Sequence, residues 1–317
     1  MSLKLSPLQG QVLDVIKGSV TTVTLFLSFI FLPVLGMVPG VFAPAPAVFY
    51  CLKSGRRTGA GVVLVSSVLL LAVADPSALA IYLLQAGIFS LALPEFLLRL
   101  KGGARSVIYA VAVNLTVLLL AAAVYGYVTG ADLHAKITKG VQTSITQTAL
   151  LYEKAGIKGD ELKALQDSMQ QAGALIVTIY PAMVTVAYGV MACLNLLLLA
   201  RIAARVRLPL YLGDFMKYRN PEPLVWVLIL AGFGMLVPHN LVYLASLNLL
   251  IVLGALYSAQ GFAVISHFFR RLQVPKLFRF VASLLLIFQP FMVLAVAALG
   301  VFDLWGDFRS PNKQQNL

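Results

Sequence analysis

The chain has 317 residues, 60% of them hydrophobic and only 11% charged, with a net charge of +12 and a mean hydropathy of +0.90. A soluble domain keeps roughly a quarter of its residues charged, so this composition excludes a fold whose solvent is water and requires lipid. The Lys and Arg residues sit in short loops between apolar runs, where they orient helices and meet anionic headgroups, so nucleic acid is not the partner that the basic balance implies.

Residues 1–17 read as a short cytoplasmic helix on the membrane surface, with Leu3, Leu5, Leu8, Val12 and Ile16 set among Lys4, Asp14 and Lys17. Apolar spans are expected over 18–35, 42–52, 58–74, 77–98 and 106–127. The second is short and seeded with Pro44 and Pro46, after a breaker cluster at 36–40. Asp75-Pro76 marks a turn, with Asp75 expected to cap the next helix. Glu95 and Arg99 stand at i, i+4 spacing and are expected to pair at the cytoplasmic boundary.

The stretch 129–171 differs from its surroundings. Leu133, Ile137, Val141, Ile145 and Leu150 mark one helical face, a break falls at 156–159, and Leu162, Leu165 and Met169 mark a second helix. Its lysines are matched by acids, as in a non-cytoplasmic segment, and it reads as a helical hairpin capping the outer face. A sixth span follows at 173–200 with a kink expected at Pro181, then the richest basic loop, 201–219. Spans seven to nine are expected at 223–237, 240–271 and 280–302, the last with Gln289-Pro290 in its middle, before a polar tail over 303–317. Cys51 and Cys193 read as small buried apolar residues.

The expected fold class is therefore all-α, a polytopic transmembrane bundle of eight or nine spans with an extramembrane helical hairpin between spans five and six. The expected organisation is an interfacial segment (1–17), a six-span core that includes the hairpin (18–201), a three-span addition with its basic loop (202–302) and the tail. Placing Lys53, Arg57, Arg99, Arg205 and Arg271 on one side puts that side in the cytoplasm, the N-terminus inside, 129–171 outside and, with nine spans, the C-terminus outside.

Candidate chemistry is sparse. His134, His239 and His267 lie far apart without partner carboxylates, no GxSxG is present and no P-loop is present, so neither metal, cofactor nor enzymatic activity is expected. The distinctive stretch is 240–271, apolar but carrying Asn248, Tyr257, Ser258, Gln260 and Ser266. At about 1.5 Å per residue a helix of this length overshoots a core of about 30 Å, so it must tilt, protrude or break, with any break expected at Gly254 and Gly261. Gln85, Asn114, Asn195, Asn248, Gln260 and Gln289 either glue helices together or face a shared polar pocket. On the pocket reading the ligand-contacting residues are Gln260, Tyr257, Ser258, Asn248, Gln85 and Asn114, and the ligand is a small neutral or zwitterionic solute.

The run from Tyr257 to Ala263, the Phe268-Phe269-Arg270-Arg271 end and the closing run from Ala298 to Arg309 resemble the C-terminal signature of the YybS-like family, bacterial multi-pass membrane proteins with a domain of unknown function. The resemblance covers about 17–309. The N-terminal half is similar in outline to the substrate-binding S components of energy-coupling-factor transporters and to the rod-shape protein MreD, in its break after the first span, its short second span and the Gly/Arg loop at 55–59. It departs from S components in having no alanine over 18–35, the span through which they dock a coupling partner. These resemblances imply either a transporter-like solute-binding protein or a non-catalytic envelope scaffold that binds membrane-protein partners.

Overall fold

The computed structural model describes residues 7–32, 35–100, 102–306 and 308–309, and among them every regular element is helical. The expected surface helix over 1–17 and the polar tail over 303–317 therefore fall partly outside the described residues. Six helices are long and apolar enough to cross a bilayer: Leu8–Phe31, Arg56–Val73, Pro76–Arg99, Gly103–Thr129, Gly159–Val206 and Asn240–Arg271. A seventh is added if Lys276–Phe288 and Pro290–Gly306, bent by 103° at their junction, count as one. The count is lower than eight or nine because two expected spans form short helices, Ala45–Ser54 with 10 residues and Leu224–Gly234 with 11. Each reaches only about half of the hydrocarbon thickness.

By internal contacts the chain divides into two units, residues 1–131 with 187–213, and 132–186 with 214–317. In the first unit α1 (Pro7–Phe31) is one helix through Lys17 and Gly18, without a separate interfacial segment among the described residues. Two short helices, α2 (Met37–Val41) and α3 (Ala45–Ser54), return along it. Gly40 lies against Phe29, Gly18 against Tyr50, and the Asp14 carboxylate accepts from Lys53 Nζ (2.9 and 3.0 Å) and Ser54 Oγ (2.5 Å). The broken pair thus runs antiparallel to α1 over about 22 Å. Helix α4 (Arg56–Val73) starts at the end that α1 started from, Gly61 against Val15 and Ser19 Oγ donating to the Val62 carbonyl (3.2 Å).

Helix α5 (Pro76–Tyr82) passes through a π-helical turn, Leu83–Gly87, into α6 (Ile88–Leu100). Asp75 occupies the N-cap position, but its carboxylate makes no capping bond. Helix α7 (Gly103–Thr129) and the second half of α9 (Gly159–Val206) complete the unit. Phe89, Leu93, Ala110, Ala192 and Leu199 form one of its cores, and Phe26, Ala47, Val62, Leu70 and Tyr82 the other. Glu95 pairs with Arg99 as the spacing implies, and also with Arg56 (Nε to Oε2 2.9 Å), a partner sequence spacing does not reveal. Cys51 is buried, whereas Cys193 is exposed on α9.

In the second unit α8 (Leu133–Lys154) folds back on the first half of α9, with Gly173 against Val141 and Ile145 and the His134 ring 6.3 Å from that of Tyr180. Helix α9 continues through Pro181 for 48 residues, so the hairpin and the sixth expected span are one helix. Helix α10 (Leu224–Gly234) packs on α11 (Asn240–Arg271), with Gly234 against Ser246. No break occurs in α11 at Gly254 or Gly261. Gly254 faces open space, and Gly261 is instead the point where α11 meets α13 (Pro290–Gly306). A Cβ on Gly261 would stand 1.9 Å from the Val296 carbonyl oxygen, and one on Gly300 would stand 2.0 Å from that of Tyr257. Two facing glycines let the helix backbones approach more closely than any side chain permits.

This contact yields a prediction. Gly261→Ala and Gly300→Ala each force backbone apart from backbone and lower stability by about 1–3 kcal/mol, whereas Gly254→Ala changes it little. Thermal unfolding of the three variants in detergent checks the order.

Candidate functional site

The polar residues of α11 fall into two groups. Asn248 and Gln260 are twelve positions apart on a continuous helix, about 18 Å, so they do not share a depth. The expectation of a shared pocket placed Gln260, Tyr257 and Asn248 at one depth, and a continuous α11 sets Asn248 apart from the other two.

The first group centres on Asp303, whose side chain is 1% exposed. A carboxylate so deeply buried needs a cation and further donors. Arg309 supplies the cation, its Nη2 on Asp303 Oδ2 and its Nε 3.3 Å from Oδ1. The other arm of the guanidinium donates to the carbonyls of Met216 and Tyr218, both at 2.8 Å. Gln260 completes the carboxylate shell through Nε2 (2.9 Å), and its Oε1 accepts from the Asn220 main-chain N–H (2.9 Å). Asn220 Nδ2 donates to the Leu256 carbonyl (3.0 Å), and Tyr218 Oη donates to Asn220 Oδ1 (2.7 Å). Arg219 Nη2 donates to the Leu304 carbonyl (2.6 Å), a cation at the negative end of α13. The network ties Asp303, Arg309 and the 216–220 segment to one point on α11.

Gln260 is therefore engaged at both ends of its amide. Tyr257 is fully buried beside it, at the α11–α13 contact, with its hydroxyl unpartnered, and Ser258 Oγ lies 3.5 Å from the Val293 carbonyl. The structure thus brings Gln260, Tyr257 and Ser258 together. It surrounds them with Asp303, Arg309 and Asn220, which spacing alone did not single out. The available signal was an Asp six residues before an Arg at the end of an apolar helix.

The second group is Asn248 with α9. Its Oδ1 accepts from the Ala182 N–H (2.9 Å) and its Nδ2 donates to the Thr178 carbonyl (2.9 Å). These two backbone groups stand four residues apart across Pro181, the pair that an undisturbed helix closes on itself. The Asn248 amide bridges them. Beside it opens a shallow cleft of about 310 Å3, lined by His134, Thr178, Tyr180, Pro181, Leu244 and Asn248 among others.

Gln85 and Asn114 belong to the first unit. Gln85 lies in the π-helical turn, and Asn114 Nδ2 donates to the carbonyl of its neighbour Leu84 (3.0 Å), which also accepts from Tyr188 Oη (3.0 Å). Asn195 Nδ2 likewise reaches the Val41 carbonyl at the end of α2 (2.8 Å). Asn114 and Asn195 each meet a carbonyl where a regular α-helix is interrupted, at the π-helical turn and at the end of α2. Among the described residues no group of three or more His, Cys, Asp or Glu is placed to hold a metal ion.

The Asp303 cluster gives a double-mutant test. Arg309→Gln leaves a buried carboxylate without its cation and costs about 3–5 kcal/mol. Adding Asp303→Asn removes the orphaned charge and recovers much of that loss, so the two effects are strongly non-additive in thermal or denaturant unfolding.

Comparison with known proteins agrees with this architecture. A family model described as "Predicted membrane protein (DUF2232)" matches residues 20–304. No curated protein and no solved structure matches. With nine-tenths of the chain inside that match, and with apolar helices long enough to cross a bilayer through both units, the protein is a polytopic helix-bundle member of the DUF2232, or YybS-like, family of membrane proteins.

Proposed function

We propose that the protein is a non-catalytic scaffold of the bacterial inner membrane whose α8–α9 hairpin stands on the extracytoplasmic side and binds an envelope protein. The observation that carries this reading is the contrast between spent and unspent surface. The amides of Gln260 and Asn248 are engaged within the chain, whereas Leu150, Leu151 and Tyr152 are exposed near the turn of the hairpin. Helix α9 is about 72 Å long, more than twice the hydrocarbon thickness, so a large part of it projects from the bilayer. Apolar side chains at the tip of a projecting hairpin suit a protein partner better than water.

The same reading gives eight crossings: α1, the α2–α3 return, α4, α5 with α6, α7, α9, α10 extended by its flanking turns over 222–238, and α11. In this reading α12 (Lys276–Phe288) and α13, bent by 103° at Gln289-Pro290, form a re-entrant pair instead of a ninth span. Arg309 rests on Met216 and Tyr218 of the basic loop, so the end of the chain joins that loop on the cytoplasmic side. This replaces the expectation of an external C-terminus, which required the final segment to cross.

A second reading, a transporter-like protein for a small neutral or zwitterionic solute, is favoured by the cleft beside Asn248. It differs from the first in its readout. A solute protein shows a thermal shift with a metabolite that His134→Ala or Tyr180→Ala abolishes, and a scaffold shows none.

Two measurements check the proposal. In a Cys51→Ala, Cys193→Ala background, Thr143→Cys reacts with an impermeant maleimide on intact spheroplasts and Lys217→Cys reacts only after permeabilisation. A photo-crosslinker at Leu151 gives a discrete protein adduct that Leu150→Ser with Tyr152→Ser removes, with membrane levels of the protein unchanged. Absence of an adduct, or labelling of position 217 from outside, overturns the reading.

A further inference from the structure

The elbow between α11 and α12 carries four cations within ten residues, Arg270, Arg271, Lys276 and Arg279, and no acidic residue occurs between Glu222 and Asp303. Among the described residues the ion pairs engage Lys53, Arg56, Arg99 and Arg309 and none of these four. The elbow is nevertheless a built turn. The Leu272 and Val274 N–H groups donate to the Phe268 and Phe269 carbonyls (2.9 and 3.0 Å), Gln273 takes a positive φ of 51°, and Arg279 Nε donates to the Val274 carbonyl (2.6 Å). These bonds hold the start of α12 beside the end of α11, so the four cations sit around one turn and are not spread along a loose loop.

What adjoins the cations is apolar. No residue of α12 is buried, and Leu277, Phe278, Val281, Leu284, Leu285 and Phe288 form one exposed arc. The half-covered residues Arg279, Ala282, Ser283 and Leu286 recur at helical spacing on another side. A helix with cations at its start and bulky apolar side chains facing out has the form of one lying in the headgroup region with its apolar arc among acyl chains. A zwitterionic headgroup brings no net charge to such a cluster, and an anionic one does.

We propose that this elbow is a binding site for an anionic phospholipid, its phosphate held by Arg270, Arg271, Lys276 and Arg279 and its acyl chains lying along the exposed arc of α12. The site is independent of the hairpin and of any partner there. A cation close to an anionic membrane surface is worth about fivefold in affinity, so removing three lowers the preference by on the order of tenfold to a hundredfold.

The test uses the full-length protein, delipidated in a neutral detergent, with lipid retention read by native mass spectrometry and by thermal unfolding. Phosphatidylglycerol is expected to be retained and to raise Tm, phosphatidylcholine to do neither, and free glycerol phosphate to give no shift. Arg270→Gln, Arg271→Gln and Lys276→Gln together are expected to erase the preference, while Arg201→Gln, Arg205→Gln and Arg207→Gln in the other basic loop keep it. Should the triple variant fail to fold, Lys276→Glu alone, at an exposed position, is expected to weaken retention measurably. Equal retention of both lipids, a shift with free glycerol phosphate, or an unchanged preference in the elbow variants overturns the proposal.

Discussion

In hydrocarbon a backbone carbonyl or N–H that loses its helical partner has no water to turn to, and the chain must supply a substitute from its own side chains. This constraint explains where the buried amides stand. Asn248 spans the two backbone groups that flank Pro181, Asn114 and Tyr188 converge on the Leu84 carbonyl at the π-helical turn, and Asn195 reaches the Val41 carbonyl where α2 ends. At Leu84 the helix is π-helical, at Val41 it ends, and at Pro181 a proline stands between the two bridged groups, so each of these amides or hydroxyls meets the backbone at an exception to regular α-helix.

The Asp303 network applies the same rule to a full charge. A carboxylate buried to 1% exposure persists because Arg309, Gln260 and the surrounding carbonyls of Met216 and Tyr218 leave no member of the group without a partner. The Gly261–Gly300 contact lies beside it, bringing the backbones of α11 and α13 close within a turn of the bond between Gln260 and Asp303. Packing and polarity act together here, and they anchor α13 and Arg309 to α11.

Continuity of helices changes how the polar residues group. A break in α11 would have let Asn248 and Gln260 approach one another, and an unbroken α11 sends each to a different neighbour, Asn248 to α9 and Gln260 to α13. In the same way an unbroken α9 joins the hairpin to a membrane span, and the break at Gln289-Pro290, where Pro lacks an N–H and constrains the residue before it, turns the final apolar segment through 103°.

Membrane character, the helical class, the break expected at 156–159, which falls at 155–158, and the Glu95–Arg99 pair were all legible in the sequence, whereas the expected breaker cluster at 36–40 folds as the short helix α2. Each rests on local properties, namely hydropathy, periodicity, breaker residues and i, i+4 spacing, that act within a few turns of one chain segment. The partners of Asn248 and Gln260, the Asp303–Arg309 cluster, the glycine contact and the side shared by Arg309 and Met216 were settled only by tertiary structure. They join residues six to ninety-three positions apart, and what selects them is which backbone group is left without a partner in hydrocarbon, a property of the packed helices and of no single stretch.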